Sequence, residues 1–202
     1  MSGVVAGKGP RRVRFAWPWH DRPTMPRDIL SFWFETIDPA SWWSARPEFD
    51  AVVRERFGDV LQRAARGECA DWRADAAGRL AEIIVLDQFS RNVYRGTAAA
   101  FAQDPMALVL AQEAVTRDVH RQLDPVRRGF LLLPFMHSES RRIHAGAEAL
   151  YREFGDANGL DFELRHKAIV DRFGRYPHRN AVLGRASTAE EIAFLEQPGS
   201  RF

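Results

Sequence analysis

An all-α fold is the class this sequence predicts, and three observations carry it. Apolar residues recur at three- and four-residue spacing from Pro26 to Leu195, the signature of helices with one buried face. Proline opens and glycine closes the best-marked stretches, the asymmetry that helix termini favour. No stretch of alternating apolar and polar residues bounded by turn residues reads as a strand. With 202 residues, 46% hydrophobic and 28% charged, the chain suits a single compact domain with a proper core.

The elements follow in order. Ile29, Leu30, Trp33 and Phe34 give a short helix with one strongly apolar side. Phe49, Val52, Val53, Phe57, Val60, Leu61 and Ala64 trace a longer one, with Pro47 near its first turn and Gly67 just past its end. Gly58 inside it costs about 1 kcal/mol against alanine, which the apolar stripe absorbs. Leu80, Ile83, Ile84, Leu86, Phe89 and Val93 leave little room for a polar face, so their helix belongs at the centre. Asp104-Pro105 and Asp124-Pro125 read as acidic N-caps, each followed by proline at the first helical position. Leu108, Ala111, Val115 and Val119 stripe the first helix they start, and residues 130–135 continue the second. Ile143, Ala147, Leu150, Tyr151 and Phe154 mark the next helix, broken by Gly155 and Gly159. Phe162, His166, Ile169 and Phe173 share one face of its successor. Thr188 with Glu191 predicts a capping box for a last short helix. Trp33, Trp42, Trp43 and Trp72 precede the central helix and are expected to pack in the N-terminal half of the core.

Residues 1–25 stand apart as a flexible or surface-draped basic tail, leaving residues 26–202 as the domain. The tail carries Lys8, Arg11, Arg12, Arg14 and Arg22 against Asp21, and no apolar run follows its charges as a secretory signal requires. Trp17 and Trp19 are its candidates for docking onto the body, and Met25 is a candidate true start. A net charge of +2 is too small to argue for nucleic acid. The longest apolar run, residues 130–136, contains Pro134 and is far too short to span a bilayer. Cys69 is the single cysteine, which excludes an internal disulfide and fits a reducing, cytoplasmic compartment.

Chemistry concentrates in three segments: Asp87-Gln88-Phe89-Ser90-Arg91-Asn92-Val93-Tyr94-Arg95, His137-Ser138-Glu139, and residues 172–180. The last holds Arg172, Arg175, His178, Arg179 and Asn180, punctuated by Gly174 and Pro177. Asp87, Arg91 and Arg95 are four apart and share one inward helix face, either as a structural ion-pair network or as a pocket wall. Asn92 and the 172–180 run add more donors than Asp87 and Glu139 satisfy, which points to an anionic ligand, since guanidinium forks match carboxylate or phosphate oxygens. His137, Glu139, His166 and His178 are the candidate proton donors and acceptors; His166, on an apolar stripe, reads equally as a core histidine. Zinc is disfavoured, because no His-x-x-x-His pair puts two ligands on one face. Neither a phosphate loop nor a nucleophile elbow is present. Cys69 has acidic neighbours and is not expected to be catalytic.

Ile29-Leu30-Ser31-Phe32-Trp33-Phe34, Leu86-Asp87-Gln88-Phe89-Ser90-Arg91-Asn92 with Arg95, Leu133-Pro134-Phe135-Met136-His137-Ser138-Glu139, and His166 followed by the 172–180 run resemble the hallmark segments of the DUF924 family. The resemblance covers Pro26 to the C-terminus. It implies a tetratricopeptide-like helical array with a concave side, and it brings no catalytic residues with it. Ser140-Arg141-Arg142-Ile143-His144 departs from the more acidic continuation the resemblance implies.

These readings converge on an anionic small molecule, a phosphate or carboxylate compound, held in an arginine- and histidine-rich pocket. His137, Glu139 and Asp87 stand nearest the chemistry, and Arg91, Asn92, Arg95, His166, Arg172, Arg175, His178, Arg179 and Asn180 would bind the ligand. No cofactor is expected. The alternative is an interaction module whose arginines grip an acidic peptide.

Overall fold

The computed structural model describes residues 24–200, and among them the secondary structure is helical without a strand. The expectations for residues 1–23, Trp17 and Trp19 included, lie outside the described residues. The long elements are α1 (Pro26–Ser31), α2 (Pro47–Ala65), α3 (Ala76–Ile84), α4 (Ser90–Val93), α5 (Asp104–Thr116), α6 (Pro125–Met136), α7 (Arg141–Phe154), α8 (Ala157–Phe173) and α9 (Ala189–Leu195). α3 and α4 are one continuous element, joined through a π-helical turn at Val85–Phe89. No described helix is long and apolar enough to cross a membrane.

The central position of this element follows from its composition. Leu80, Ala81, Ile83, Ile84, Val85, Leu86 and Phe89 are all fully buried, with α1, α2, α5 and α6 packed around them. Beneath α1, Phe32, Trp33, Phe57 and Phe89 form an aromatic cluster; Trp33 and Phe89 meet edge to face at 5.5 Å. Trp33 and Trp72 are buried as expected, but Trp43 is 68% exposed and lies flat against Phe130 at 5.8 Å. α7 and α8, linked by two residues, form a helical hairpin that closes the C-terminal side.

The helix ends explain why the chain turns where it does. Pro47 opens α2, and Gly67 follows it in the left-handed region (φ 76°) that a side chain rarely adopts. The Asp124 side chain caps α6, and Thr188 with Glu191 makes both bonds of the capping box on α9. Two expectations are corrected. Gly159 does not break a helix: it sits in the first turn of α8, where its N–H donates to the Asp156 carboxylate at 2.6 Å and its missing side chain leaves room for Tyr151. Asp104 is not an N-cap either; it is the first helical residue of α5 after Gln103, and its side chain turns toward arginines.

Candidate functional site

The central helix, the α6–α7 link and the turn after α8 meet at one cleft. The link exists because α6 runs through Pro134 and ends at Met136, so that His137, Ser138 and Glu139 sit between helices with α7 starting at Arg141. The turn after α8 is set by Gly174 (φ 72°), which lets the chain reverse, and by Pro177, which opens a short 3₁₀ turn, Pro177–Arg179. Facing them is the start of α5. Between these segments lies a cavity of about 340 Å³, walled by Phe101, Leu108 and Leu183 and bearing Asp104, His137, Ser138, Glu139 and Arg179.

Behind the cavity, Asp87 is 1% exposed. Its Oδ1 lies 2.8 Å from His137 Nδ1 and 3.2 Å from the Arg91 guanidinium, and its Oδ2 accepts from Gln88 at 2.6 Å. Burial pushes the Asp87 carboxyl up, yet Arg91 and His137 outweigh it and hold the group well below the usual carboxylate range. An ionised Asp87 accepts the Nδ1 proton, which leaves the Nε2 lone pair of His137 free. Among the described residues Nε2 has no partner, and His137 is part of the cavity wall. Burial and then Arg91 lower the proton affinity of this imidazole, against the opposing pull of Asp87, so it is neutral at pH 7.

The arginines are not in surplus. Arg91 grips both oxygens of Asp104 at 2.9 and 3.1 Å, besides Asp87. Arg179 donates to Asp104 at 3.1 Å and lies between the rings of Phe101 (4.5 Å) and Tyr176 (4.7 Å). Arg185 makes two bonds to Glu139, at 2.6 and 2.9 Å, and the Tyr176 N–H donates to the same carboxylate at 2.7 Å. Burial raises the Glu139 carboxyl, and these donors more than offset it. Arg179 is the exception in its bonding. Its side chain is 7% exposed, and its buried Nε has no partner among the described residues.

The other predicted site residues are placed elsewhere. Asn92 and Arg95 turn to the N-terminal side, where both bind Asp50 of α2 at 2.6–2.9 Å. The helix has ended at Val93, so Arg95 no longer follows the phase of Asp87 and Arg91. Arg172 pairs with Glu190 in solvent. Arg175 holds Glu191, whose carboxyl is brought down to about 2 chiefly by that bond. Asn180 donates to Ser187 and Glu191 and accepts from Arg185. His166 Nδ1 donates to the Phe162 carbonyl at 2.7 Å, and burial depresses its pKa to about 3. Its ring and that of His178 flank Tyr176 at 5.7 and 5.6 Å. Among the described residues no three His, Cys, Asp or Glu side chains gather as metal ligands.

The family described as bacterial protein of unknown function (DUF924) matches residues 29–199, which takes in every residue of this cleft. The chain belongs to the DUF924 family. A solved structure of a protein of unknown function from Agrobacterium tumefaciens is similar to it, with 38% identity over 85% of this chain and 96% of that one and a TM-score of 0.80. No curated protein matches the chain.

Within this DUF924 domain, four acids do the neutralising that sequence reasoning left open: Asp50, Asp104, Glu190 and Glu191. Asp104 was hidden by its resemblance to a cap. Asp50 was hidden because nothing in its spacing ties it to Asn92 and Arg95, 42 and 45 positions away. Arg185 and Tyr176 were missed as site residues, although Tyr176 lies inside the 172–180 run.

Proposed function

We propose that the cavity binds a small carboxylate with an apolar body and that His137 acts on it as a general base. The observation that carries this reading is the Asp87–His137 pair. A buried carboxylate fixes one ring nitrogen at 2.8 Å, and the other, unpartnered nitrogen belongs to a residue of the cavity wall. A neutral imidazole oriented in this way is poised to take a proton from a bound molecule or from water. Arg179 supports the anionic end of the ligand: it is nearly buried, flattened between two rings and short of acceptors for its N–H groups.

Charge favours a monoanion. Asp104 and Glu139 line the same cavity as Arg179, so a second negative charge, as on a phosphate, would face carboxylates. Phe101, Leu108 and Leu183 accommodate an apolar body. A volume of about 340 Å³ falls in the small-molecule range, which supports a small ligand over an acidic peptide. The same reading retains a cytoplasmic setting, with the unpaired and buried Cys69 in keeping with it, and a tetratricopeptide-like stacking of helices such as α7 on α8.

The test is thermal melting of the full chain with acetate, hexanoate, benzoate and inorganic phosphate. A fitting ligand at one hundred times its dissociation constant stabilises by about 2.7 kcal/mol. Saturable stabilisation by hexanoate or benzoate that disappears in Arg179→Gln is the expected result. No saturable response to any of the four anions would reject the reading.

A further inference from the structure

We infer that Tyr176, His144 and Glu163 act as positioning residues that clamp the backbone on both sides of His137 and so aim its ring at Asp87. The inference rests on the reading of His137 as a general base. His137 sits where helical hydrogen bonding gives out, with its own N–H the last to reach back into α6, at Leu133. A residue in such a link has no ladder to fix its dihedrals, yet both flanking carbonyls are tied. The Tyr176 hydroxyl donates to the Met136 carbonyl at 2.5 Å, and His144 Nε2 lies 2.8 Å from the Ser138 carbonyl.

The proton positions in this network follow from the partners. A carbonyl oxygen only accepts, so His144 Nε2 must carry hydrogen. The Tyr176 hydroxyl has given its hydrogen to Met136, so its oxygen can accept from the same Nε2–H, 3.1 Å away. On the other side of the ring, His144 Nδ1 is 2.7 Å from Glu163 Oε1, and both side chains are fully buried. At that distance one proton lies between them. Burial, the largest influence, raises the Glu163 carboxyl and favours keeping that proton. Whichever partner owns it, His144 presents Nε2–H to Ser138.

Holding three polar side chains in the interior is costly unless their geometry is satisfied, and a phenylalanine or leucine would fill the same space more cheaply. What the polar set supplies is direction. None of the three lines the cavity, so they act through His137 and not on a ligand. Tyr176 is the hub: its N–H also orients Glu139, at 2.7 Å, while its ring supports Arg179. One residue of the 172–180 run therefore sets a base, an acid and a guanidinium at once.

The test reads the tautomer of His137 by long-range ¹H–¹⁵N spectra of the full chain labelled in histidine, at pH 7.5, with His137→Gln to assign the signal. Wild-type protein is expected to show His137 as the neutral Nδ1–H form alone. Tyr176→Phe, which removes the hydroxyl alone, and Glu163→Leu should each lose the single form and give a mixture. Glu163→Gln, which can still donate to His144 Nδ1, should restore it. A purely structural role would lower melting temperatures without moving the tautomer. Retention of the single form in folded Tyr176→Phe and Glu163→Leu would overturn the clamp, as would failure of Glu163→Gln to restore it. Should one of the two disruptive variants not fold, the other decides. A wild-type spectrum without a single tautomer would remove both the base and its clamp, whereas a correct tautomer with no carboxylate binding would reject the ligand reading alone.

Discussion

Asp104 and Arg179, 75 positions apart in the chain, meet through one hydrogen bond of 3.1 Å, and that bond ties the start of α5 to the turn after α8 across the cavity. Because Asp104 is also held at both oxygens by Arg91, the cavity wall is coupled to the central helix. The two arginines are therefore expected to behave differently when removed.

Arg91→Ala should destabilise the protein by about 3–5 kcal/mol, because it strips the guanidinium from two carboxylates, one of them fully buried. Arg172→Ala, which breaks a solvent-exposed pair with Glu190, should cost under about 1 kcal/mol. Urea unfolding of the two variants beside wild type measures the contrast. Equal losses would contradict the assignment of Arg91 to an internal network.

Arg95→Ala and Arg175→Ala should keep the saturable melting response to a carboxylate, because their acids are Asp50 and Glu191 and neither residue lines the cavity. Arg179→Gln should lose it. A response lost in Arg95→Ala would place the ligand near Asp50, on the N-terminal side of the central helix.

Stability should fall as pH drops from about 6.5 toward 3. His166 has a folded pKa of about 3 against an ordinary value of 6.5, so in this window the unfolded chain binds the extra proton and stability rises with pH. Below the ordinary carboxylate range a second loss follows, because Asp50, Asp87 and Glu139 have lowered pKa values whose stabilisation disappears as they are protonated. Melting curves of wild type and His166→Gln between pH 7.5 and 4.5 test the first part: the variant should have the shallower dependence. Parallel curves would show that His166 titrates normally in the fold.

Gly78→Ala should be poorly tolerated. A Cβ at this position would lie 1.9 Å from the Trp72 carbonyl oxygen, which is backbone and cannot swing aside. Relief requires shifting the start of α3 against the turn before it, at about 1–3 kcal/mol or more. Gly58→Ala, with open space around the same point, should instead be neutral or stabilising. Soluble yield and melting temperature of the pair decide the matter.

Much of the helical scaffold could be read from residue spacing, because burial imposes a 3.6-residue period that survives in any core helix. The capping box at Thr188 and the buried run from Leu80 to Phe89 were visible for the same local reason. Pairing across the chain was not. Asp50 reaches Arg95 and Asp104 reaches Arg179 only once tertiary packing has set their distances, and a single sequence carries no term for that. Asp104-Pro105 shows how a local rule misleads: its cap grammar is sound, but two arginines compete for the carboxylate and win. Tyr176 was overlooked because an aromatic residue amid arginines looks like packing, although its hydroxyl and N–H each have a polar partner.

The π-helical turn at Val85–Phe89 gives the central element two orientations in a single run of chain. Upstream, its side chains fill the core; downstream, Arg91 reaches the cleft while Asn92 reaches α2. One residue is worth about 100° of rotation in a regular helix. Shortening this segment by one position would therefore swing everything after it through more than a quarter of a circle, moving Arg91 off its acids and Asn92 off Asp50 together. The number of residues between Ile84 and Ser90 is thus as much a determinant of the cleft as the identity of any side chain in it.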